Sequence, residues 1–234
     1  MNKKIIWSLF SGSGIDVLPW AKAGHKCYCF NYDDADHGDY EGVKEIHPNI
    51  TYVNAFIDIE WMENVENLGL PAPDLILAYP PCTDMAVSGS RHFASKKAKD
   101  PFFQIKAVRT AKIAAWLAEF VFDCPYMIEN PVSVLAGQWR KPTVYFNPWE
   151  YGGYLPANDV NPYFPQYIKP RDAYPKKTGL WTGNGFIIPK TSPVPVAPGW
   201  SDQQNKLGGK SARTKMIRSL TPRGLAEAIY QYNK

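Results

Sequence analysis

A four-residue apolar run that ends at two consecutive prolines constrains the fold of this chain more than any other stretch. The run, Leu75 to Ala78, predicts a buried β-strand, and Pro80 and Pro81 predict its end because proline cannot continue sheet pairing. A single cysteine, Cys82, follows directly. Open α/β sheets bind their ligands at the carboxyl ends of parallel strands, so a thiol at this position is well placed to act as a nucleophile.

A second apolar run repeats this arrangement, and it places Glu129 47 residues after Cys82. Tyr126 to Ile128 predicts another buried strand, and Glu129 and Asn130 follow it at once, before Pro131. If both strands belong to one sheet, a thiol, a carboxylate and an amide project from neighbouring strand ends. We therefore expect Cys82 and Glu129 to lie close together.

The amino-terminal segment predicts the first unit of a nucleotide-binding α/β sheet. We predict a strand over Lys4 to Leu9 and a glycine-containing turn over Phe10 to Gly14. A helix is predicted over Ile15 to Ala23, and Gly24 is expected to end it. The turn lacks the third glycine of the dinucleotide-binding pattern. A tight turn that binds no ligand explains these glycines equally well.

Acidic residues follow the next two predicted strands. Cys27 to Asn31 is succeeded by two acids, Asp33 and Asp34, where this architecture commonly binds ribose hydroxyls. Ile50 to Val53 predicts the third strand, and Asp58 stands where the following turn could contact an adenine. Capping of a helix explains Asp58 equally well.

Length, composition and charge set the class of protein. The 234 residues, 45% of them hydrophobic, suit one α/β domain with a small appendage, without a membrane span or signal peptide. The four cysteines have no zinc-like spacing, which favours a reduced, cytoplasmic protein and no metal site. The net charge of +4 hides an acidic amino-terminal part and a carboxyl-terminal part with 14 Lys/Arg against 5 Asp/Glu. A polyanion is therefore expected on one face only.

Two further stretches carry positive charge. The stretch 83–99 predicts a mobile polar loop that covers a phosphate-bearing substrate beside Cys82, or an ordinary solvated loop. The stretch 203–226 carries six cations and no acid, and is a candidate for phosphate binding. Residues 177–181 predict one more strand, and we expect no helix after position 131 until Pro222 starts one that runs to Tyr232.

These landmarks, in this order, resemble the DNA cytosine-5 methyltransferase family, and most of all its short bacteriophage members. Phe10-x-Gly12-x-Gly14 is similar to the family's cofactor motif, Pro80-Pro81-Cys82 to its nucleophile motif, and Glu129-Asn130 to its E-N-V motif. The resemblance implies a Rossmann-like, S-adenosylmethionine-dependent methyltransferase sheet. It implies catalytic roles for Pro81, Cys82, Glu129 and Asn130. It implies cofactor binding by Phe10, Ser11, Gly12, Gly14, Tyr32, Asp33, Asp58, Ile59 and Pro80.

The implied chemistry requires these residue types. A Cys82 thiolate adds to cytosine C6 and makes C5 nucleophilic, so the pKa of the thiol should be lowered by nearby cations or N–H groups. Glu129, bonded to N3 and the exocyclic amine, needs a raised pKa. In duplex DNA the cytosine must first be flipped out of the helix. A hollow beside Gly12 should admit the methyl donor.

The sequence departs from the family pattern at several places. Pro131 replaces the usual valine, and Tyr32 stands at the ribose-binding position, so Asp33 or Asp34 must substitute. The family's arginine strand is not evident, and Lys176-Lys177-Thr178 is its nearest equivalent. The helix after Ser219-Leu220-Thr221-Pro222 could match either of the family's last two motifs; the last one, which completes the cofactor pocket, is favoured.

The expected organisation is a catalytic domain over 1–135, a small irregular recognition region over 136–212 and a terminal motif over 213–234. The expected partner is DNA, with no membrane and no requirement for an oligomer. The expected DNA-binding residues are Arg91, Lys97, Lys177, Lys210, Lys215 and Arg218. The same chemistry on a free cytosine nucleotide or on RNA is a second hypothesis, and a non-catalytic DNA-binding protein is a third.

Overall fold

A single twisted sheet organises the protein. The structure is a computed structural model that describes residues 2–35, 38–196, 198–208 and 211–234. Its seven-stranded sheet has the order β3-β2-β1-β4-β5-β7-β6, and β7 runs antiparallel to its two neighbours. The strands are β1 (Ile5–Leu9), β2 (Lys26–Asn31), β3 (Ile50–Asn54), β4 (Leu75–Ala78), β5 (Tyr126–Pro131), β6 (Val144–Phe146) and β7 (Thr178–Gly183).

Helices cover both faces of this sheet, as in other doubly wound folds. The α-helices are α1 (Leu18–Lys22), α2 (Ile59–Glu63), α3 (Phe93–Lys99), α4 (Phe103–Phe120), α5 (Leu135–Gln138), α6 (Asp202–Asn205), α7 (Ala212–Ser219) and α8 (Arg223–Asn233). Short 3-10 helices span Val65–Leu68, Val87–His92, Pro148–Tyr154 and Pro170–Asp172. Within the described ranges, no helix combines the length and apolar composition that crossing a bilayer requires.

The alternation of side chains along the strands builds two cores. Trp7 and Ile76 point to the face that α2 and α4 cover, whereas Leu77 and Cys29 point to the face of α1 and α8. Cys27 shares the face of Cys29, as the alternation of side chains requires. Because both faces are buried, the central strands read as continuous apolar runs. The expected α/β, Rossmann-like fold class is confirmed.

The chain crosses over between β1 and β4. β1 pairs with β2 on one side and with β4 on the other, so the strand order reverses at this point. Crevices at such switch points are the usual ligand sites of open α/β sheets. The turn after β1 and the segment that carries Cys82 after β4 both leave the sheet here.

Some of the predicted elements differ from the structure. The first helix begins only at Leu18 because Pro19 lies in its first turn and fits only at a helix start. The predicted loop 83–99 is wrong: it contains the 3-10 helix Val87–His92 and then α3, whose Ala and Lys residues favour helix. The prediction of no helix between position 131 and Pro222 is also wrong. Helix α7 begins after Ser211, whose side chain caps it by accepting the Thr214 N–H.

The stretch 136–212 contributes to the sheet as well as to the surface. β6, a three-residue strand without a clear sequence signal, and β7 both come from it and extend the sheet beyond β5. The same stretch supplies buried residues of a third core, which joins it to the segment after β2 and to α7; its members include Tyr40, Val43, Phe164, Tyr174, Leu207 and Ile217.

Candidate functional site

Cys82 lies just beyond the end of β4. The strand ends at the buried Ala78, and Tyr79, Pro80 and Pro81 carry the chain out of the sheet. The Cys82 carbonyl accepts hydrogen bonds from the N–H groups of the residues at 85 and 86, at 3.0 and 2.8 Å. These bonds fix the backbone of the cysteine, and its side chain stays partly accessible to solvent.

Glu129 and Asn130 lie on the neighbouring strand. The prediction that they follow the strand is wrong, because β5 pairs with β7 as far as Pro131. Glu129 therefore lies within the strand, directly opposite Leu180 of β7. The parallel register places Ala78 beside Ile128, and the Asn130 side-chain amide then donates to the Pro80 carbonyl at 3.1 Å. This buried bond joins β5 directly to the Pro80-Pro81-Cys82 segment.

A lysine completes the group. Lys176 lies two residues before β7, and its charge acts on both Cys82 and Glu129. Its ammonium donates to the Arg218 carbonyl at 2.9 Å, which holds the side chain in place. The sequence identified the Lys176-Lys177 pair, and of the two it is Lys176 whose charge acts on the site.

Burial and these charges set the acidity of the site. Burial raises the pKa of Cys82 above its usual value; the Lys176 charge counteracts this, and the Glu129 charge adds to it. The expected lowering of the thiol pKa is therefore absent, because one lysine does not offset burial. Burial likewise raises the pKa of Glu129, again against the Lys176 charge. Glu129 thus has the direction of shift that a proton-sharing carboxyl needs.

The segment after Cys82 is anchored to the strand that carries Glu129. The Val87 N–H donates to the Val132 carbonyl at 3.0 Å, and position 86 bridges to Ser133. Farther on, the Lys96 ammonium contacts the Asp84 carboxylate at 2.6 Å and the Thr83 carbonyl at 2.9 Å. The stretch 83–99 is thus a pair of short helices held by these contacts rather than a polar loop.

The glycine turn after β1 is built around a buried acid that sequence reasoning missed. Asp16 accepts hydrogen bonds from the hydroxyls of Ser8 and Ser11, at 2.5 and 2.6 Å. Burial raises its pKa, and the two serines oppose that shift. Phe10 and Gly14 have positive φ, 61° and 71°. The only sequence signal for this role was an acid within an otherwise apolar stretch.

Two tyrosines fill the space that the motif glycines leave open. A Cβ atom at Gly12 would overlap the ring of Tyr40, and one at Gly14 would overlap the hydroxyl of Tyr52. The cavity that remains beside Gly12 has a volume of about 10 Å³, about that of one water. The expected hollow is therefore closed, and the turn in this conformation does not fit a nucleoside methyl donor. No local pattern marked Tyr40 for this position.

The other predicted cofactor residues lie at the carboxyl ends of β2 and β3. Tyr32 is 39% exposed and meets the exposed ring of Phe56 edge to face, with ring centres 5.2 Å apart. Asp33 accepts from the Asn31 side-chain amide at 2.7 Å, and its own N–H donates to Asn54. Two aromatic rings and a carboxylate therefore stand together at this edge.

Asp58 and its neighbours have structural contacts. One Asp58 oxygen accepts the Trp61 N–H at 2.9 Å and caps α2, which is the helix-cap alternative given above. Ile59 and Phe10 pack against the core beneath α2 and α4, and Pro80 is buried.

The predicted DNA-binding cations are spread over several elements. Arg91 is exposed and its Nε donates to the ring of His92, and Lys97 is exposed on α3. Lys177 lies over the Tyr145 ring, 4.9 Å from its centre. Arg218 donates to the carbonyls of residues 203 and 207 and so holds the loop before α7. Lys215 lies half-buried on α7, and Lys210 lies outside the described residues.

Comparison with known proteins finds similarity of structure but no match of sequence. No family model matches the sequence, and no curated protein matches it. A solved structure of a candidate DNA modification methyltransferase, encoded within an E. coli prophage, is similar in fold with a TM-score of 0.40 and 13% sequence identity. The match covers 77% of this chain and 46% of that one, so this chain spans less than half the length of that protein.

Proposed function

We propose that this protein transfers a methyl group from S-adenosylmethionine to C5 of cytosine in DNA. The observation that carries the proposal is the joining of two reactive strand ends: the Asn130–Pro80 hydrogen bond ties the Cys82 segment to the strand that bears Glu129. A nucleophile and an acid that project from adjacent strands can engage one planar ring at two positions.

In this reaction Cys82 forms a covalent bond from its sulfur to C6 of the cytosine. Burial keeps the thiol protonated at neutral pH, so its proton must pass to the Glu129 carboxylate or to solvent as the substrate binds. The Lys176 charge favours that loss, and an ionised Glu129 opposes it. A protonated Glu129 no longer repels the thiolate, so protonation of the carboxyl and ionisation of the thiol support each other.

Glu129 supplies the proton that the ring needs. With its raised pKa the carboxyl can hold a proton and donate it to N3 as sulfur adds to C6. This placement stabilises the electron-rich ring, whose C5 becomes nucleophilic. S-adenosylmethionine, when bound, supplies the methyl group that C5 accepts. Loss of the C5 proton to a base then expels the Cys82 sulfur as a thiolate, N3 returns its proton to Glu129, and the aromatic ring is restored.

Binding of the methyl donor is proposed for the edge formed by the turns after β1, β2 and β3. The exposed rings of Tyr32 and Phe56 offer a surface for adenine, and Asp33 offers a carboxylate for ribose hydroxyls. The glycine turn is closed by Tyr40, so its part in binding requires a change in the position of that side chain.

Bisulfite sequencing of a plasmid that has been propagated with the expressed protein tests this function. Methylated cytosines resist conversion, so protection at a recurring sequence context is expected with the wild type and is absent with Cys82→Ser. Complete conversion of every cytosine, with soluble protein present, would refute DNA methylation.

One observation favours a smaller or different cytosine substrate. The Arg218 guanidinium donates to backbone carbonyls, which leaves one cation fewer for DNA than the sequence predicts. A nucleotide-binding enzyme would lose little affinity with added salt, whereas several phosphate contacts would make binding to a polymer strongly salt-dependent. A non-catalytic DNA-binding protein would bind 5-fluorocytosine DNA without forming a covalent adduct.

A further inference from the structure

Trp200 is displayed on the surface of the stretch 136–212. Its side chain is 74% exposed, the largest exposed fraction of any Phe, Tyr or Trp that the structure describes. Single exposed apolar residues are common on protein surfaces and by themselves indicate no ligand. An exposed indole can serve as a contact for the substrate only if its backbone is held in place and lies near the reactive groups.

The backbone that carries Trp200 is held by the short helix α6, which follows it. Gly199 turns the chain just before it, with φ of 111°, a conformation that favours glycine. The Trp200 carbonyl accepts a hydrogen bond from the Asn205 side-chain amide at 3.1 Å. The Lys169 ammonium contacts the Asp202 carboxylate at 2.8 Å and so ties α6 to the segment before β7. The indole therefore projects from an anchored turn.

Two chains of contacts join α6 to the reactive groups. The Arg218 guanidinium donates to the Gln203 carbonyl, and the Arg218 carbonyl accepts the Lys176 ammonium. Lys176 in turn acts on Glu129 through its charge. The buried Gln203 side chain also bonds to the Tyr174 hydroxyl. Burial raises the pKa of Tyr174, and the Glu129 charge is among those that add to the rise. Helix α6 therefore lies beside the edge of the sheet that carries the site.

The surroundings of Trp200 carry an excess of positive charge. Lys169 and Lys206 both contact the Asp202 carboxylate, at 2.8 and 3.4 Å, so two ammonium groups share one carboxylate. Both lysine side chains are still at least half exposed and can reach a phosphate. An aromatic ring next to cations is the combination that binds a nucleobase together with its phosphates. Bases within an intact duplex are already stacked, so the indole needs a gap in that stack.

We propose that Trp200 stacks on a nucleobase beside the gap that the extrahelical cytosine leaves in DNA, and that Lys169 and Lys206 contact the adjoining phosphates. The proposal rests on the proposed function, because methylation of a base in a duplex requires that base to leave the stack. The indole covers a base face that would otherwise meet water, and so stabilises the flipped state. Every base has such a face, so this contact is independent of sequence.

Fluorescence anisotropy with the full chain and two labelled duplexes tests this contact. The duplexes share one arbitrary sequence, and one of them has an abasic site at its centre, which supplies the gap without knowledge of the target. The wild type should bind the abasic duplex about tenfold more tightly than the intact one, the effect of one base–aromatic stack. Trp200→Ala should lose this preference. Trp200→Phe, which keeps a ring, should retain most of it.

The salt dependence of binding separates stacking from phosphate contacts. Trp200→Ala should leave the slope of log affinity against log salt concentration unchanged, because stacking releases no counterions. Lys206→Gln should weaken binding to both duplexes alike and reduce the slope by about 1. An unchanged slope in Lys206→Gln would remove that lysine from the phosphate contacts.

Phe120→Ala is the matched control. Phe120 is 73% exposed, but it lies at the end of α4 that leads to the start of β5, whereas the site lies at the carboxyl ends of the strands. Its affinities should equal those of the wild type. Equal affinity of the wild type for the two duplexes, or a preference that Trp200→Ala keeps, would overturn the stacking contact. Protection in the bisulfite assay would then leave the proposed function intact. Absence of binding to both duplexes in every form would overturn the stacking contact and DNA as the substrate together.

Discussion

The two halves of the proposed site differ in how far they are formed. Around Cys82 and Glu129, strand register and one buried hydrogen bond bring the reactive groups together, with Lys176 beside them. Around Gly12, a side chain from the segment after β2 fills the space. The sheet thus places the reactive groups near each other, whereas a side chain from a loop closes the glycine turn.

The largest effect is expected from Cys82→Ser. An alcohol has far weaker nucleophilicity than a thiolate, so methylation should fall below detection in a tritium-transfer assay. S-adenosylmethionine binding should persist, because the donor is proposed to bind at the other half of the site. A parallel loss of donor binding would show that the two halves are not separate. Cys124→Ala, which alters a buried cysteine outside the site, should stay active.

Glu129→Gln should slow methyl transfer at least a hundredfold, the scale of a positioned acid–base group. The same change removes a negative charge that raises the pKa of Cys82, so alkylation of Cys82 by iodoacetamide should move to lower pH. Activity and thiol reactivity should therefore change in opposite directions. A variant that retains most of its activity would exclude Glu129 from the chemistry.

A smaller effect on the same half is expected from Lys176→Met. Its charge lowers the pKa of both Cys82 and Glu129, so its removal should raise both values. A shift of one pKa unit slows iodoacetamide alkylation of Cys82 about tenfold at pH 7. Lys177→Met is the control, since Lys177 lies over Tyr145 instead. Equal reactivity in both variants would mean that Lys176 does not act on the thiol.

The features that were predicted correctly from the sequence lie mainly in the half of the site around Cys82 and Glu129. Apolar runs bounded by prolines located β4 and the start of β5, because burial on both faces leaves a continuous hydrophobic signal. The sequence therefore predicted that Cys82 and Glu129 would lie on neighbouring strands. Their pKa directions depend on burial and on Lys176, which only the register of β7 brings near.

Positions that depend on long-range packing had no local signal. Tyr40 reaches Gly12 through the third core, which joins segments far apart in the chain, and no periodicity in residues 33–41 marks it. Arg218 looked free for phosphate because its partners are backbone carbonyls, which carry no sequence signature. The helical segments between 87 and 99 were missed because their glycine and serine residues resemble a loop.

The smallest predicted effect concerns stability on the Tyr40 side, where Asp172 is buried beside the third core. Its carboxylate accepts the Gly224 N–H at the start of α8, and burial raises its pKa to about 6. A raised carboxyl pKa means that the folded state holds the proton more tightly than the unfolded chain. The stabilisation is complete below pH 4 and is lost as pH rises through 6, by up to about 3 kcal/mol.

Asp172→Asn keeps an oxygen that can accept the Gly224 N–H but cannot ionise. The free energy of unfolding of this variant, relative to the wild type, should therefore rise between pH 4 and pH 7. Urea titrations followed by tryptophan fluorescence at pH 4, 5.5 and 7 measure the difference. If the difference in free energy of unfolding between the two proteins is the same at all three pH values, Asp172 ionises in the folded state as it does in the unfolded chain. Asp172 would then contribute no pH dependence to the stability of the Tyr40 side.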